Sequence, residues 1–273
     1  MRLARLDNEV FFKKAFTDPF VFRGFVKDII GIDINPEKIE TEKAFSPKVG
    51  TINFKYDIFA EDVEKRIIVE IQKIEYDHNF DRFLHYHLQA ITEQQRTSED
   101  YRVDRTVYTI VMMTAPYRVH PETKEIYKDE VLISKLNPKN LNGIERKIFN
   151  HELIFLNPNY RDNDTPKNYK DWLDLVYESI HNSENPKINM KNKAVKKASE
   201  IISYESITPE EWAEAKIETG RRKVLSLELE KGINEGKQEV TKKMILKGLD
   251  NDFIQEITGL SFEEIDEIRK NTK

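Results

Sequence analysis

Two acids and an amide stand at strand-like spacing in the first third of the chain. They are Asp57, in Tyr56-Asp57-Ile58, and Glu70 with Gln72, in Ile67-Ile68-Val69-Glu70-Ile71-Gln72. Side chains alternate faces along a strand, so Glu70 and Gln72 share one face while Ile67, Val69 and Ile71 take the other. An ionised carboxylate inside so apolar a run is costly to bury without compensation, and a cation is one compensator. If Asp57 lies on the adjacent hairpin strand, it comes within a side chain's reach of Glu70. The two carboxylates and the main-chain carbonyl of Ile71 then form an oxygen set suited to Mg²⁺ or Mn²⁺. The Gln72 amide beside them is placed to orient a water. Such a set suits metal-assisted phosphodiester hydrolysis, in which the metal lowers the pKa of bound water and offsets charge developing on the phosphate. On spacing alone, Asp…Glu-x-Gln on a hairpin more often marks a solvated strand face.

Other residues admit two readings each. Arg82 and Tyr86 lie one helical turn apart and face the same way. They contact the scissile phosphate or brace the carboxylates, or else Arg82 is a surface residue packing its stem on Tyr86. Gln94 suits a hydrogen bond to a substrate backbone, or a solvated helix end. His85 and His87 are two apart and so point in different directions on a helix, which disfavours a shared ion. All six histidines read as structural or surface residues. With no Cys in the chain, thiolate metal sites, disulfides and cysteine nucleophiles are excluded. The nine glycines form no GxGxxG and no Gly-x4-Gly-Lys, and Gly-x-Ser-x-Gly is absent. A nucleotide-cradling loop and a serine-hydrolase elbow are therefore excluded as well.

The chain carries 44 Lys and Arg against 49 Asp and Glu, a net charge of 44 − 49 = −5. Bulk positive charge does not hold a polyanion here, so a nucleic-acid enzyme of this composition has to use local basic patches and metal ions. Met1-Arg2-Leu3-Ala4-Arg5-Leu6-Asp7 reaches charges before a signal-like apolar stretch forms. No apolar run is long enough for a membrane-spanning helix. A cytoplasmic location without a membrane partner is expected.

These residues need elements to position them. Residues 8–30 place Phe12, Phe16, Phe20, Phe22, Phe25, Val26 and Ile29 at largely helical spacing, with Pro19 suited to a first turn. That pattern predicts two short helices split near Asp18. Asn35-Pro36 breaks it, and Ile39 to Phe45 reads as a strand. The segments Ile52 to Ala60 and Arg66 to Lys73, joined by the charged Glu61 to Lys65, read as a β-hairpin. Phe80 to Glu93 repeats apolar residues as an amphipathic helix, Thr106 to Met113 reads as an interior strand covered on both faces, and Glu152 to Leu156 as a further strand. A helix opening at Thr165-Pro166 carries Tyr169, Trp172, Leu173, Val176 and Ile180 on one face.

Beyond it, residues 181–199 read as a polar linker or mobile helix. The acid-free run Pro186 to Ser199, with Lys187, Lys191, Lys193, Lys196 and Lys197, suits a DNA-backbone contact or plain solvation. Thr208-Pro209-Glu210-Glu211 opens a long charged helix, with Gly220, Gly232 and Gly236 as points of interruption, and Ser261 caps a last short one. Lys242 to Lys270 resembles a helix-turn-helix unit in outline, yet residues 250–273 hold seven acids against three bases. Phosphates repel such a surface. Packing or self-association, giving a homo-oligomer through the C-terminal helices, is the better reading.

Several landmarks in order resemble the PD-(D/E)XK nuclease superfamily, in its branch of recombination-promoting nucleases and transposases. Glu9-Val10-Phe11-Phe12-Lys13-Lys14-Ala15-Phe16 is similar to the family's opening acid-x-x-Phe-Lys-x-x-Phe helix. Asp57 stands where the family's metal-binding Asp sits, and Glu70-Ile71-Gln72 matches Glu-x-Gln, in which Gln replaces the motif's Lys. Arg82, Tyr86, Gln94 and Tyr101 fall at the spacing of the family's Arg-x3-Tyr…Gln…Tyr helix and turn. The tail Ile257-Thr258-Gly259-Leu260-Ser261 with Glu264-Ile265 resembles extensions seen in this branch. Glu9 departs from the usual Asp, and Ser98 stands where Gly is common.

Elements and resemblance together predict an α/β fold. A restriction-endonuclease-like core, with a central mixed β-sheet flanked by helices, is expected over residues 1–160. A helix and lysine-bearing linker follow over 161–200, then a mostly helical C-terminal extension over 201–273. The resemblance implies a Mg²⁺- or Mn²⁺-dependent DNA endonuclease linked to recombination or mobile elements. Asp57, Glu70 and the Ile71 carbonyl are its metal ligands, Glu9 assists them, and Gln72 positions the water. Arg82, Tyr86 and Gln94 are its substrate contacts. The runner-up is a catalytically silent nuclease-fold module for DNA binding or assembly. A helical interaction protein built on the C-terminal third is a further rival.

Overall fold

A computed structural model describes residues 1–45, 54–72, 79–95, 101–117 and 125–272. The chain forms two compact units, Met1–Ala215 and Lys216–Lys273. In the first, α1 (Glu9–Phe16) and α2 (Pro19–Ile30) split where the sequence requires. The Asp18 side chain accepts from Phe20 N–H and Val21 N–H, Pro19 fills the first turn, and Gly31 closes α2 at φ 78°. That left-handed geometry suits a residue without Cβ.

The sheet holds β1 (Ile39–Phe45), β2 (Phe54–Glu61), β3 (Lys65–Gln72), β4 (Thr106–Met113), β5 (Val131–Lys135) and β6 (Glu152–Leu156) in the order β1-β2-β3-β4-β6-β5. It is mixed: β3, β4 and β6 run parallel, and β1, β2 and β5 are antiparallel to their neighbours. Parallel neighbours need a crossover, and α3 (Asn79–Thr92) lies between β3 and β4 in the chain. Ile67, Val69, Ile71, Ile110, Met112, Ile154 and Leu156 join the large core with α1, α2, α4 (Lys167–His181) and α5 (Lys193–Ile201). Within it Phe25 stacks edge-on to Phe16 and Trp172. The other face is covered by α3, with Phe83 against Val111 and Phe155, and Ala90 against Ile68 and Val107. Strand β3 is thus buried on both sides, as its run of Ile and Val demands.

Three expectations change. β5 was not anticipated: it is a five-residue edge strand with its last three residues exposed, and so short an apolar run carries no period. Residues 181–199 are neither linker nor mobile helix throughout, because Ala194, Val195 and Ala198 of α5 enter the core. The long helix α6 (Pro209–Leu246) is continuous through Gly220, Gly232 and Gly236. Nothing lies near those glycines, so their missing side chains leave no gap to collapse.

In the second unit, α7 (Asn251–Thr258) and α8 (Phe262–Asn271) bury Ile254 and Ile265 with Met244 in a small core. Ser261 and Glu264 form the capping box that opens α8. Among the described residues no helix is long and apolar enough to cross a membrane.

Candidate active site

The β2–β3 ladder pairs Glu61 with Arg66, Ala60 with Ile67, Phe59 with Ile68 and Ile58 with Val69. Its next step would set Asp57 opposite Glu70. There the side chains take over: Asp57 N–H donates to Glu70 Oε1 at 3.0 Å, and Ile71 N–H donates to Asp57 Oδ2 at 3.0 Å. Each carboxylate therefore holds one amide of the opposite strand, and the pair is fixed by the backbone. The alternation of β2 also breaks here. Ile58 and Ala60 face the helices of the large core, whereas Tyr56 joins Phe59 on the α3 side.

On the far side of β2, Glu42 lies opposite Asp57 in β1, between the pairs Thr41–Ile58 and Lys43–Tyr56. It has φ 57°, a left-handed conformation rare for a residue with a side chain. Such strain costs about 1–2 kcal/mol and persists where the surroundings enforce it. Carboxylate oxygens of Glu9, Glu42 and Asp57 lie within 4.8 Å of one another. The Lys13 ammonium bonds to both Glu9 and Glu42 and stands 3.9 Å from Asp57 Oδ1; Lys55 also pairs with Glu42.

Two groups therefore meet at Asp57: Glu9, Glu42 and Lys13 on the α1 side, and Glu70, Gln72, Arg82 and Tyr86 towards α3. Arg82 Nη1 donates to Gln72 Oε1 at 3.3 Å, its Nε donates to Tyr86 Oη at 3.2 Å, and the guanidinium lies 5.1 Å from the Tyr86 ring centre. Tyr56 Oη donates to the Tyr86 carbonyl at 3.0 Å, which ties α3 to β2. Arg82 thus braces the glutamine rather than packing idly on Tyr86.

Burial dominates the electrostatics. Glu70 is 1% exposed. Burial, then the neighbouring Asp57 charge, holds its carboxyl well above the ordinary range, against the pull of the Asp57 N–H, Arg82 and Lys13. Burial likewise raises Asp57, with Glu9 adding to the shift and the Ile71 N–H opposing it. Among the described residues the negative charge of the pair is under-compensated, which is the condition a bound cation relieves. The donors are oxygens, suited to a hard divalent ion, and the Lys13 ammonium already sits among them as a stand-in cation. The residues fit a Mg²⁺ or Mn²⁺ centre.

Not every expected residue joins this group. Gln94 is buried rather than solvated, and its amide is occupied by the main chain: Oε1 accepts from Arg105 N–H, and Nε2 donates to the Ala90 and Arg105 carbonyls. It ties the end of α3 to the approach to β4. Tyr101 is 77% exposed, and Ser98 lies outside the described residues. His87 is buried against Thr109 Oγ1 at 2.9 Å, a structural setting as expected. Glu42 was missed, although an acid within Ile39 to Phe45 was visible; Lys13 stood in the opening motif without a role.

The family model described as PD-(D/E)XK nuclease family transposase matches residues 26–246, more than half of the chain. The match begins inside α2, so Glu9 and Lys13 lie outside it. No curated protein and no solved structure matches.

Proposed function

Because this chain belongs to the PD-(D/E)XK nuclease family of transposases, we propose that it is a divalent-metal-dependent DNA endonuclease acting at the Asp57–Glu70 centre. The observation that carries the reading is the backbone-anchored carboxylate pair, formed where the β2–β3 ladder opens and under-compensated in charge. Nucleases of this family generally use divalent metals, and DNA is the substrate the family implies.

Mg²⁺ or Mn²⁺ bound there supplies a Lewis acid and a water of lowered pKa. Asp57, Glu70 and the Ile71 carbonyl would hold it, with Glu9 assisting from α1. Gln72, restrained by Arg82, orients the attacking water for in-line displacement at phosphorus. Its amide carries no charge, so Arg82 is the cation that would offset charge on the phosphate. Tyr86 keeps Arg82 in position. Hydrolysis of this kind links the chain to recombination or mobile elements as a cutting activity; strand joining needs further machinery.

The test is nicking of supercoiled plasmid with Mg²⁺, Mn²⁺, Ca²⁺ or EDTA, beside Asp57→Asn and Glu70→Gln. Metal-dependent nicking that falls at least about 100-fold in both folded variants is expected, since removing a group that acts in the transition state costs roughly 3 kcal/mol. Variants that cut like wild type overturn the assignment. The neutral Gln72 favours a second reading, a silent DNA-binding module. Metal binding without turnover on supercoiled, linear and single-stranded DNA would select it.

A further inference from the structure

The lysine run at residues 187–197 belongs to neither the carboxylate centre nor a linker. Its backbone is fixed at several points. Lys187 N–H donates to Glu178 Oε2 at 3.0 Å. Asn189 and Asn192 amides bind Asp171, and Asn192 caps α5. Helix α5 also crosses α2 so closely that a Cβ on Gly24 would stand 2.3 Å from Ala194 Cβ. The buried side of α5 is Ala194, Val195 and Ala198, which leaves Lys193, Lys196 and Lys197 exposed on the other side. Their i, i+3, i+4 spacing puts these three on one stripe, and Lys187 and Lys191 are exposed just before the helix.

Their charges are also uncompensated. Among the described residues, no carboxylate lies within 4.0 Å of the Lys187, Lys191, Lys193 or Lys197 ammonium, and Lys196 has only Glu200 at 3.9 Å. Elsewhere in the first unit Lys13, Lys14, Arg66 and Arg161 are each paired with acids. Met190 is the exposed large apolar residue in the run, so no apolar face is offered for insertion into a bilayer. A row of ammonium groups on a fixed backbone, with Glu200 the one carboxylate paired to it among the described residues, on a chain of net charge −5 is complementary to a phosphate backbone.

We propose that the α5 lysine stripe is a surface that holds the backbone of duplex DNA, built from residues separate from the carboxylate centre. It rests on the nuclease reading only for the choice of DNA as the polyanion. Binding to phosphates is sequence-independent and strongly salt-dependent.

The experiment uses the full chain in EDTA, a short labelled duplex and fluorescence anisotropy at about 50–200 mM salt. The variant is K193Q/K196Q/K197Q, whose glutamines keep helix propensity. Its affinity should fall at least about tenfold, and its slope of log affinity against log salt should flatten by about 0.9 for each phosphate left without its lysine. Hydrolysis of the small diester bis(p-nitrophenyl) phosphate with Mn²⁺ should be unchanged. A control, K139Q/R146Q/K147Q, removes equal charge from the loop before β6. Equal weakening by both triples overturns the proposal, since bulk charge then suffices, and so does wild-type affinity in the α5 triple. Tighter binding of phosphatidylserine vesicles than of duplex, abolished by the same triple, reassigns the surface to anionic lipid. Duplex binding through α5 with no hydrolysis of any diester by wild type leaves this surface standing and removes the nuclease reading.

Discussion

Two carboxylate pairs in the first unit are built from the same chemistry and surrounded in opposite ways. Asp28 and Asp171 line a cleft of about 390 Å³ between α2, α4 and the start of α5. Asp28 Oδ2 accepts from Trp172 Nε1 at 2.8 Å and Asn192 Nδ2 at 3.0 Å. Asp171 accepts from Asn189 Nδ2 at 3.0 Å and Asn192 Nδ2 at 3.2 Å. Neutral amide and indole donors fill these oxygens, and the acids act as cross-links between helices. Among the described residues, Asp57 and Glu70 each hold one backbone N–H, and their charged neighbours are Glu9 and the cations Lys13 and Arg82. Each pair holds one buried and one half-buried acid, so what separates them is the kind of partner at their oxygens and not their depth.

The largest stability effect should come from the stapled pair. Asp171→Ala leaves the Asn189 and Asn192 amides short of acceptors and should lower stability by roughly 2–4 kcal/mol in urea unfolding. Cleavage by the folded fraction should be kept. A variant of normal stability that had lost cleavage would reverse the comparison.

A buried titratable group on the α3 face sharpens it further. Burial, then His151, pushes the His87 imidazole down to about 4, and its Nε2 has no hydrogen-bond partner among the described residues. The neutral form is the one the fold accepts. As pH falls below about 6.5 the unfolded chain takes up a proton that the folded chain refuses until about 4. About 3 kcal/mol of stability is therefore lost across that window, and fully present above it. Asp57 and Glu70, raised in the fold, act with the opposite sign, because their ionisation as pH rises costs the folded state. Unfolding free energies of wild type and His87→Gln from pH 7 to 4 should diverge, with the variant flatter; parallel curves would remove His87 from the account.

The smallest effect is the most diagnostic of the contrast. Glu70→Gln keeps an oxygen for the Asp57 amide and removes a poorly solvated charge, so the metal-free chain should gain about 1 kcal/mol. Thermal melting in EDTA reads this directly. An acid-to-amide change that stabilises at Glu70 while Asp171→Asn destabilises would state the difference between the pairs in one assay.

The central strands and the helices were legible because β3 and β4 are apolar β-branched runs, because apolar residues fall at helical spacing in α2 and α3, and because Pro19 and Asp18 mark a helix start. The carboxylate pair was legible for a related reason: an acid inside Ile67 to Ile71 contradicts its surroundings. Glu42 escaped because its importance lies in a backbone torsion and in the strand it faces, neither of which composition encodes. The α5 segment was misread because only Ala194, Val195 and Ala198 carry its apolar side, and small residues are a faint signal amid lysines. Gln94 was misplaced because its partners are main-chain groups of residues 90 and 105, set by the fold and not by side-chain type.

The first unit is closed by a strap whose two halves are far apart in the chain. Leu3 N–H donates to the Ser183 carbonyl at 2.9 Å, Ala4 N–H to that of Ile202 at 2.8 Å, and Tyr204 N–H to that of Arg2 at 3.0 Å. A ribosome making this protein therefore delivers the carboxylates of residues 57 and 70 well before the segments that seal the unit. At ordinary elongation rates the delay is on the order of ten seconds. Through that interval the apolar β3 strand awaits the α4 and α5 side of its cover, which is a window for chaperone capture. A polysome-bound chain therefore carries Asp57 and Glu70 without the α4 and α5 side of the core until residues past 204 have emerged, a delay written into the connectivity.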